Sequence, residues 1–168
     1  MKAIKYLVIG GAIVLTGKYL LSLNRAQKKI VIVATGKRGK ISAQGISIVI
    51  RYNIKNPTKA RMTMTPPLIK LSLNGTLIGT SNMQMNDIPA DVRDKTGKII
   101  IRAFNETGNI EASVFIPWLN LLTVGGDLIK RFKSTDPKDQ ITVEVETISQ
   151  VYSMIGNFPH EETLSIKL

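Results

Sequence analysis

The sequence predicts an all-β fold: an antiparallel β-sandwich with one helical insertion, preceded by a single N-terminal transmembrane helix. Three observations carry this. From Ile46 the apolar residues recur at every second position, Ile46, Ile48, Ile50, Tyr52 and Ile54 alternating with Ser47, Val49, Arg51, Asn53 and Lys55, the pattern of a strand with one buried face. Asn74-Gly75 stands between Leu68–Leu73 and Thr76–Thr80, and both residues tolerate the positive φ that a two-residue hairpin turn requires. Ala3 to Leu23 is an apolar run of about 21 residues, roughly 31 Å as a helix, which matches a hydrocarbon core about 30 Å thick.

Residues 1–24 are therefore expected to be a membrane anchor, with Tyr6, Leu7, Val8, Ile9, Ile13, Val14, Leu15, Tyr19, Leu20 and Leu21 in contact with lipid. Lys18 lies near one end, where its stem can carry the ammonium to the headgroups, as Lys5 can at the other. Tyr6 and Tyr19 fall where interfacial aromatic rings settle. The competing interpretation is a cleaved secretory signal, with Met1 to Lys5 as basic region and Tyr6 to Gly17 as apolar region. No small-x-small cleavage site follows, and Lys18 stands where one would be expected.

Residues 25–40 read as a basic juxtamembrane stalk. Asn24 to Lys29 is polar and ends the helix, Ile30-Val31-Ile32-Val33 is a short β-branched run expected to form a first strand, and Thr35 to Lys40 reads as a turn or mobile loop. The net charge is +11, but its distribution says more: residues 1–86 hold 14 Lys or Arg and no acid, and residues 87–168 hold 9 against 12 acids. Lys18, Arg25, Lys28, Lys29, Lys37, Arg38 and Lys40 are the expected contacts to anionic headgroups, each worth about 1 kcal/mol near such a surface. Nucleic acid is the other polyanion to consider. No aromatic residue is interleaved with Lys37-Arg38-Gly39-Lys40, so a stacking platform is missing and lipid is preferred.

The remainder, 41–168, is one domain of ordinary size. Asn56-Pro57 ends the first long strand, because proline removes a ladder donor. Met83 and Met85 suggest a short strand before Ile88-Pro89, and further strands are expected at 98–104, 110–116, 140–148 and 163–168. This spacing with antiparallel turns points to a sandwich. Pro117 to Phe132 predicts an amphipathic helix with Trp118, Leu121, Leu122, Leu128, Ile129 and Phe132 on its apolar positions, and Gly125-Gly126 is a weak point that can split it. Such a helix plugs the sandwich, or makes a second membrane-surface contact through Lys130, Arg131 and Lys133.

Little in the sequence speaks for chemistry. There is no Cys, hence no disulfide framework or thiol nucleophile. His160, the single histidine, follows Pro159 and is expected in an exposed loop, and Glu161-Glu162 beside it should diverge at a solvated strand start. Asp87, Asp91 and Asp94 lack the spacing and bidentate Glu of a Ca²⁺ loop. Gly36 to Lys40 lacks the glycine spacing and Lys-Ser/Thr ending of a phosphate-binding loop. No active site, metal or cofactor is expected.

Several landmarks together carry a resemblance: Ile54-Lys55-Asn56-Pro57-Thr58, Leu71 to Gly79 around Asn74-Gly75, Ile88-Pro89-Ala90, Ile116-Pro117 with its helix, Ile141 to Val145, and Tyr152 to Pro159. Over Ile41 to Leu168 the chain resembles the late embryogenesis abundant group 2 family, also called the water-stress and hypersensitive-response domain. The resemblance implies a fibronectin-III/immunoglobulin-like sandwich with a helical insertion, often membrane-tethered, with no enzymatic activity and no catalytic residues. The basic first half and the short Asn-Pro-Thr segment depart from the family pattern.

Two functions of different class follow. One is a non-enzymatic, membrane-anchored structural or interaction protein that pairs with other subunits, whether capsid proteins or copies of itself. The other is a membrane-tethered stress-protection or lipid-binding module whose sandwich accepts an apolar ligand. The charges after the anchor outnumber those before it, which places the sandwich on the cytoplasmic side. With a composition leaning to Ile, Lys and Asn, this suits a virion component of a membrane-containing bacteriophage, linking an internal membrane to the capsid.

Overall fold

Alternation along the chain becomes alternation of burial. In β2, Gly45–Asn56, the side chains of Ile46, Ile48, Ile50, Tyr52 and Ile54 are fully buried while Arg51 and Lys55 face solvent. This is the direct result of successive side chains leaving a strand on opposite faces. The computed structural model describes residues 29–81, 83–134, 136, 139–154 and 156–168. The expected anchor, with its lipid-facing positions from Tyr6 to Leu21, lies outside the described residues, as do Lys18, Arg25 and Lys28. Among the described residues, no helix is long and apolar enough to cross a membrane.

The protein is an antiparallel β-sandwich. Its other strands are β1 Val31–Ile41, β3 Met62–Met64, β4 Leu68–Leu73, β5 Thr76–Thr80, β6 Asn86–Asp87, β7 Ile99–Ile101, β8 Asn105–Glu106, β9 Ile110–Pro117, β10 Thr142–Ser153 and β11 Gly156–Lys167. One sheet is β1-β2-β9, with β8 on β2 and β6 on β9. The other is β5-β4-β10-β11, with β3 and β7 continuing beyond β4 along β10. Among the described residues, one pairing, Thr80 with Phe115, joins the two sheets on one side. Between them lies an apolar core in which Ile69, Leu71, Ile78, Val114, Val143 and Val145 are fully covered.

The turn at Asn74-Gly75 has φ of 51° and 76°, the double positive φ of a type I′ hairpin. The expected helix is divided at Gly125, whose φ is 156°: α1 spans Trp118–Val124 and α2 spans Asp127–Lys133. Leu121 and Phe132 are fully buried and close that end of the sandwich, each worth roughly 1.5–3 kcal/mol of burial. The Trp118 amide donates to the Gln44 main-chain oxygen at 3.1 Å and its Nε1 to that of Ser42 at 3.0 Å. These bonds seat α1 on the turn between β1 and β2.

Four expectations are corrected. Thr35 to Lys40 is not a loop but the second half of β1, paired with β2 from Val31–Lys55 to Ile41–Ile46 with an irregularity after Arg38. The glycines fit the strand because a Cβ at Gly36 would meet the ends of Ile166 and Leu168, and one at Gly39 would meet the Ser47 carbonyl oxygen at 2.9 Å. Met83–Met85 is a single 3-10 turn, with the strand β6 following it. The strand expected at 98–104 stops at Ile101, and the chain turns through Phe104, whose φ is 51°. Finally, β10 and β11 form one long hairpin with twelve paired positions, so the last strand begins at Gly156 rather than at Thr163.

Candidate functional site

The strand β1 gives the molecule two ends. Eleven extended residues span roughly 36 Å, from Val31, where the chain enters the sandwich, to the turn beneath α1. The entering end collects the segments around Asn56–Arg61, Arg102–Glu106 and the tip of the β10–β11 hairpin. The pairings prove this step by step: Val31 lies opposite Lys55, Asn56 opposite Asn105, Met62 opposite Ile101, and Thr63 opposite Tyr152. The far end carries α1, α2 and the Asn74-Gly75 turn.

Asn56 welds the entering end together. Its side chain is buried, and its Nδ2 donates to the main-chain oxygens of Ala60 at 2.7 Å and Arg102 at 3.0 Å. Its Oδ1 accepts from the Thr58 amide at 3.0 Å and the Thr58 hydroxyl at 2.6 Å. A buried amide with all these partners satisfied rigidifies what it joins. Phe104 then donates its amide to the Thr58 oxygen at 2.9 Å, which leaves its ring 66% exposed. Two shallow depressions, each of about 410 Å³, border this end: one lined by Lys55, Asn56, Pro57, Phe104, Asn105 and Glu106, the other by Arg61, Met62, Thr63, Tyr152, Ser153 and Met154.

Among the described residues, the basic side chains of the expected stalk, Lys29, Lys37, Arg38 and Lys40, are distributed along β1 and its entry. Lys29 is exposed at the entering end, while Lys37 and Lys40 are exposed toward the far end. Six strand steps put Val31, the start of β1 beside Lys29, roughly 20 Å from Lys37, well beyond the Debye length of about 8 Å in physiological salt. Arg38 turns inward, and its guanidinium donates to the main-chain oxygens of Ser134, of Asp139 at 3.3 Å and of Leu168 at 3.2 Å. Its hydrogen-bonding capacity is thus turned to joining β1 to the end of β11. Sequence proximity missed this because a strand separates neighbours at the fastest rate a chain allows.

His160 is not in an exposed loop. It lies in β11 with its side chain only 14% exposed, and its Nε2 is 3.6 Å from Glu162 Oε2. Glu161 and Glu162 do diverge, Glu161 outward and Glu162 toward β1, where its carboxylate accepts the Ile32 amide at 3.1 Å. Thr147 and Ser149 line the same inner face, their hydroxyls donating to the main-chain oxygens of Glu162 at 3.2 Å and His160 at 3.4 Å. Those hydroxyls are committed to the backbone rather than to the imidazole, so the group acts as a clasp. The pattern that could have revealed it is the period-two series Thr147, Ser149, His160, Glu162 on paired strands.

The acidic trio is also dispersed into structural roles. Asp94 Oδ1 accepts from the Thr96 hydroxyl at 2.7 Å, the Thr96 amide at 2.8 Å and the Lys98 amide at 2.9 Å. The Thr96 hydroxyl foremost, then the two amides and the Lys98 charge, hold this carboxyl below the usual carboxylate range. Asp87 is in β6 and Asp91 in a 3-10 turn. Among the described residues, no group of three or more His, Asp or Glu side chains is placed to hold a metal ion.

The class so defined is an antiparallel all-β sandwich with a helical plug at one end and a clasped edge along one side. No family model matches the chain, and a search of curated proteins finds no relative. Among solved structures it is similar to a protein from Archaeoglobus fulgidus, with a TM-score of 0.51 and 8% identity over 83% of this chain and 96% of that one. It is also similar to an Arabidopsis thaliana protein, with a TM-score of 0.49 and 16% identity over 83% and 82%. The major subunit of the aggregative adherence fimbriae type I of Escherichia coli, AggA, aligns with a TM-score of 0.33 and 12% identity over 83% and 92%. At such identities the likeness concerns the fold alone.

Proposed function

We propose that the protein is a non-enzymatic, membrane-anchored interaction module of fibronectin-III/immunoglobulin-like type. In this reading the N-terminal apolar stretch is a single transmembrane helix, and the sandwich stands on the cytoplasmic side as a spacer between a bilayer and a protein layer. The observation that carries it is the two-ended build. The chain enters at one end, and at the other α1 exposes Leu119 at 70% and Leu122 at 54%, one helical turn apart on the same face. Exposed apolar pairs of this kind suit a protein contact. This geometry favours the virion role, in which the far end meets capsid proteins and the anchor holds the internal membrane.

Flotation of the full chain with vesicles and protease treatment of right-side-out bacterial vesicles test the reading. Digestion of the sandwich from the outer side would sink both the topology and the virion role. The alternative, a tethered stress-protection or lipid-binding module of the late embryogenesis abundant group 2 type, draws on the Asn56-Pro57-Thr58 and Asn74-Gly75 landmarks. The filled core and the open form of the two depressions favour the interaction module over it.

A further inference from the structure

We propose that the entering end of the sandwich is itself a contact site for an anionic bilayer surface, with Phe104 and Met154 as apolar contacts and Lys29, Lys59, Arg61 and Arg102 as headgroup contacts. The proposal rests on the anchored reading and deepens it. These cations come from three separate stretches of sequence, and only the fold brings them to one end. Arg61 and Arg102 flank the paired residues Met62 and Ile101, the Asn56 amide joins Ala60 to Arg102, and Arg61 and Met154 line one depression. Lys29, Lys59, Arg61 and Arg102 are all exposed. The acids next to them are Glu106, already paired with Lys55 at 3.7 Å, and Asp91, whose main-chain oxygen accepts from Arg102 at 2.9 Å.

Two large apolar side chains project within this basic rim, Phe104 at 66% and Met154 at 84% exposure. Apolar projections ringed by lysine and arginine complement a surface with a negative headgroup layer over hydrocarbon. The chain outside the structure argues for the same occupant. Residues 1–28 precede Lys29 directly and contain the apolar run from Ala3 to Leu23, so a bilayer holding that run lies within a few residues of this end. Each basic residue near an anionic surface favours contact by about fivefold, that is about 1 kcal/mol.

The absence of cysteine makes the test direct. Met154→Cys and Leu119→Cys full-length chains are labelled with an environment-sensitive dye and reconstituted into vesicles, either purely zwitterionic or containing anionic phosphatidylglycerol, with lipid-borne quenchers. The expected result is a blue-shifted, quenched label at position 154 in anionic vesicles only, lost in high salt and lost in a Lys59→Gln, Arg61→Gln, Arg102→Gln background. The label at position 119 should remain in water. An unquenched label at position 154 on chains that still float with the vesicles would overturn the contact while sparing the anchor. Chains that fail to float would overturn both. Quenching at 119 instead, equal quenching in zwitterionic vesicles, or displacement of the 154 label from anionic vesicles by a duplex oligonucleotide at equal ionic strength would each reject the assignment.

Discussion

The two sheets meet along both sides, and they do so by different means. On the β5–β9 side, main chain meets main chain: Thr80 pairs with Phe115, and Gly79 lets the strands approach, since a Cβ there would lie 3.1 Å from the Phe115 oxygen and 3.0 Å from Ile116 Cγ1. A relay reinforces it, with the Tyr52 hydroxyl donating to Asn86 Oδ1 at 2.8 Å and Asn86 Nδ2 to the Pro67 oxygen at 3.4 Å. On the β1–β11 side, no ladder joins the strands among the described residues. Side chains do the joining there, Glu162 at one end and Arg38 at the other. The lesson is that one seam depends on close main-chain approach at Gly79, which a larger residue would block, whereas the other depends on the hydrogen bonds of two side chains, Glu162 and Arg38.

Substitution at the backbone seam should have the largest effect. Gly79→Val drives a branched side chain against fixed main chain and is expected to cost about 3 kcal/mol, since overpacking a tight contact costs of that order. A denaturant midpoint unchanged from the parent would show that the strands are not held so close. Arg38→Met keeps the stem but removes the guanidinium bonds to the main-chain oxygens of Ser134, Asp139 and Leu168, the last of which keeps the Ile141 amide, with an expected loss of about 2 kcal/mol, as for hydrogen bonds to a charged group. An unaltered unfolding curve would remove Arg38 from the seam.

The relay on the backbone side should make that seam sensitive to alkali. Burial pushes the Tyr52 hydroxyl far above its ordinary value, so the folded chain keeps the proton that the unfolded chain loses near pH 10. Its stabilising contribution is therefore complete below about pH 10 and declines above it by about 1.4 kcal/mol per pH unit. Tyr52→Phe should flatten that decline relative to the parent in urea titrations at pH 10 to 11; parallel curves would refute it. The smallest effect is expected for Glu162→Ala, about 1 kcal/mol, accompanied by faster hydrogen exchange at the Ile32 amide. Unchanged exchange at Ile32 would mean that the carboxylate does not hold β1.

The contrast between the seams also explains what sequence could and could not reveal. The strand β2 and the Asn74-Gly75 hairpin are legible because their patterns are local: alternation and positive φ act within a few residues. The split at Gly125-Gly126 is legible for the same reason. The second half of β1 is not, because Gly36-Lys37-Arg38-Gly39-Lys40 has loop composition and becomes strand only through β2 on one edge and Ile166 and Leu168 beneath it. His160 and Glu162 share this fate, since their surroundings come from β10 and β1 rather than from Pro159. Lys37 and Arg38 are neighbours in sequence but leave β1 on different faces, Lys37 into solvent and Arg38 onto the main chain of Ser134, Asp139 and Leu168. Lys59, Arg61 and Arg102 illustrate the converse.

The antiparallel pairing of β1 with β2 has a mechanical consequence. If tension is applied between the entering end and the helical far end, it runs along the axis of β1, nearly perpendicular to hydrogen bonds that lie across the strands. The nine paired positions from Val31 to Ile41 are then loaded together, as in a lap joint, instead of parting one after another like a zip. Glu162 and Arg38 act as rivets near the two ends of the overlap. Force spectroscopy with handles at position 29 and at Leu119 should give a high rupture force that drops for Arg38→Met; a low, stepwise release would contradict the shear geometry. A strand with so much of its surface at the sandwich edge is thereby suited to carrying a sustained pull, a property that resides in its direction and length more than in the strength of any one bond.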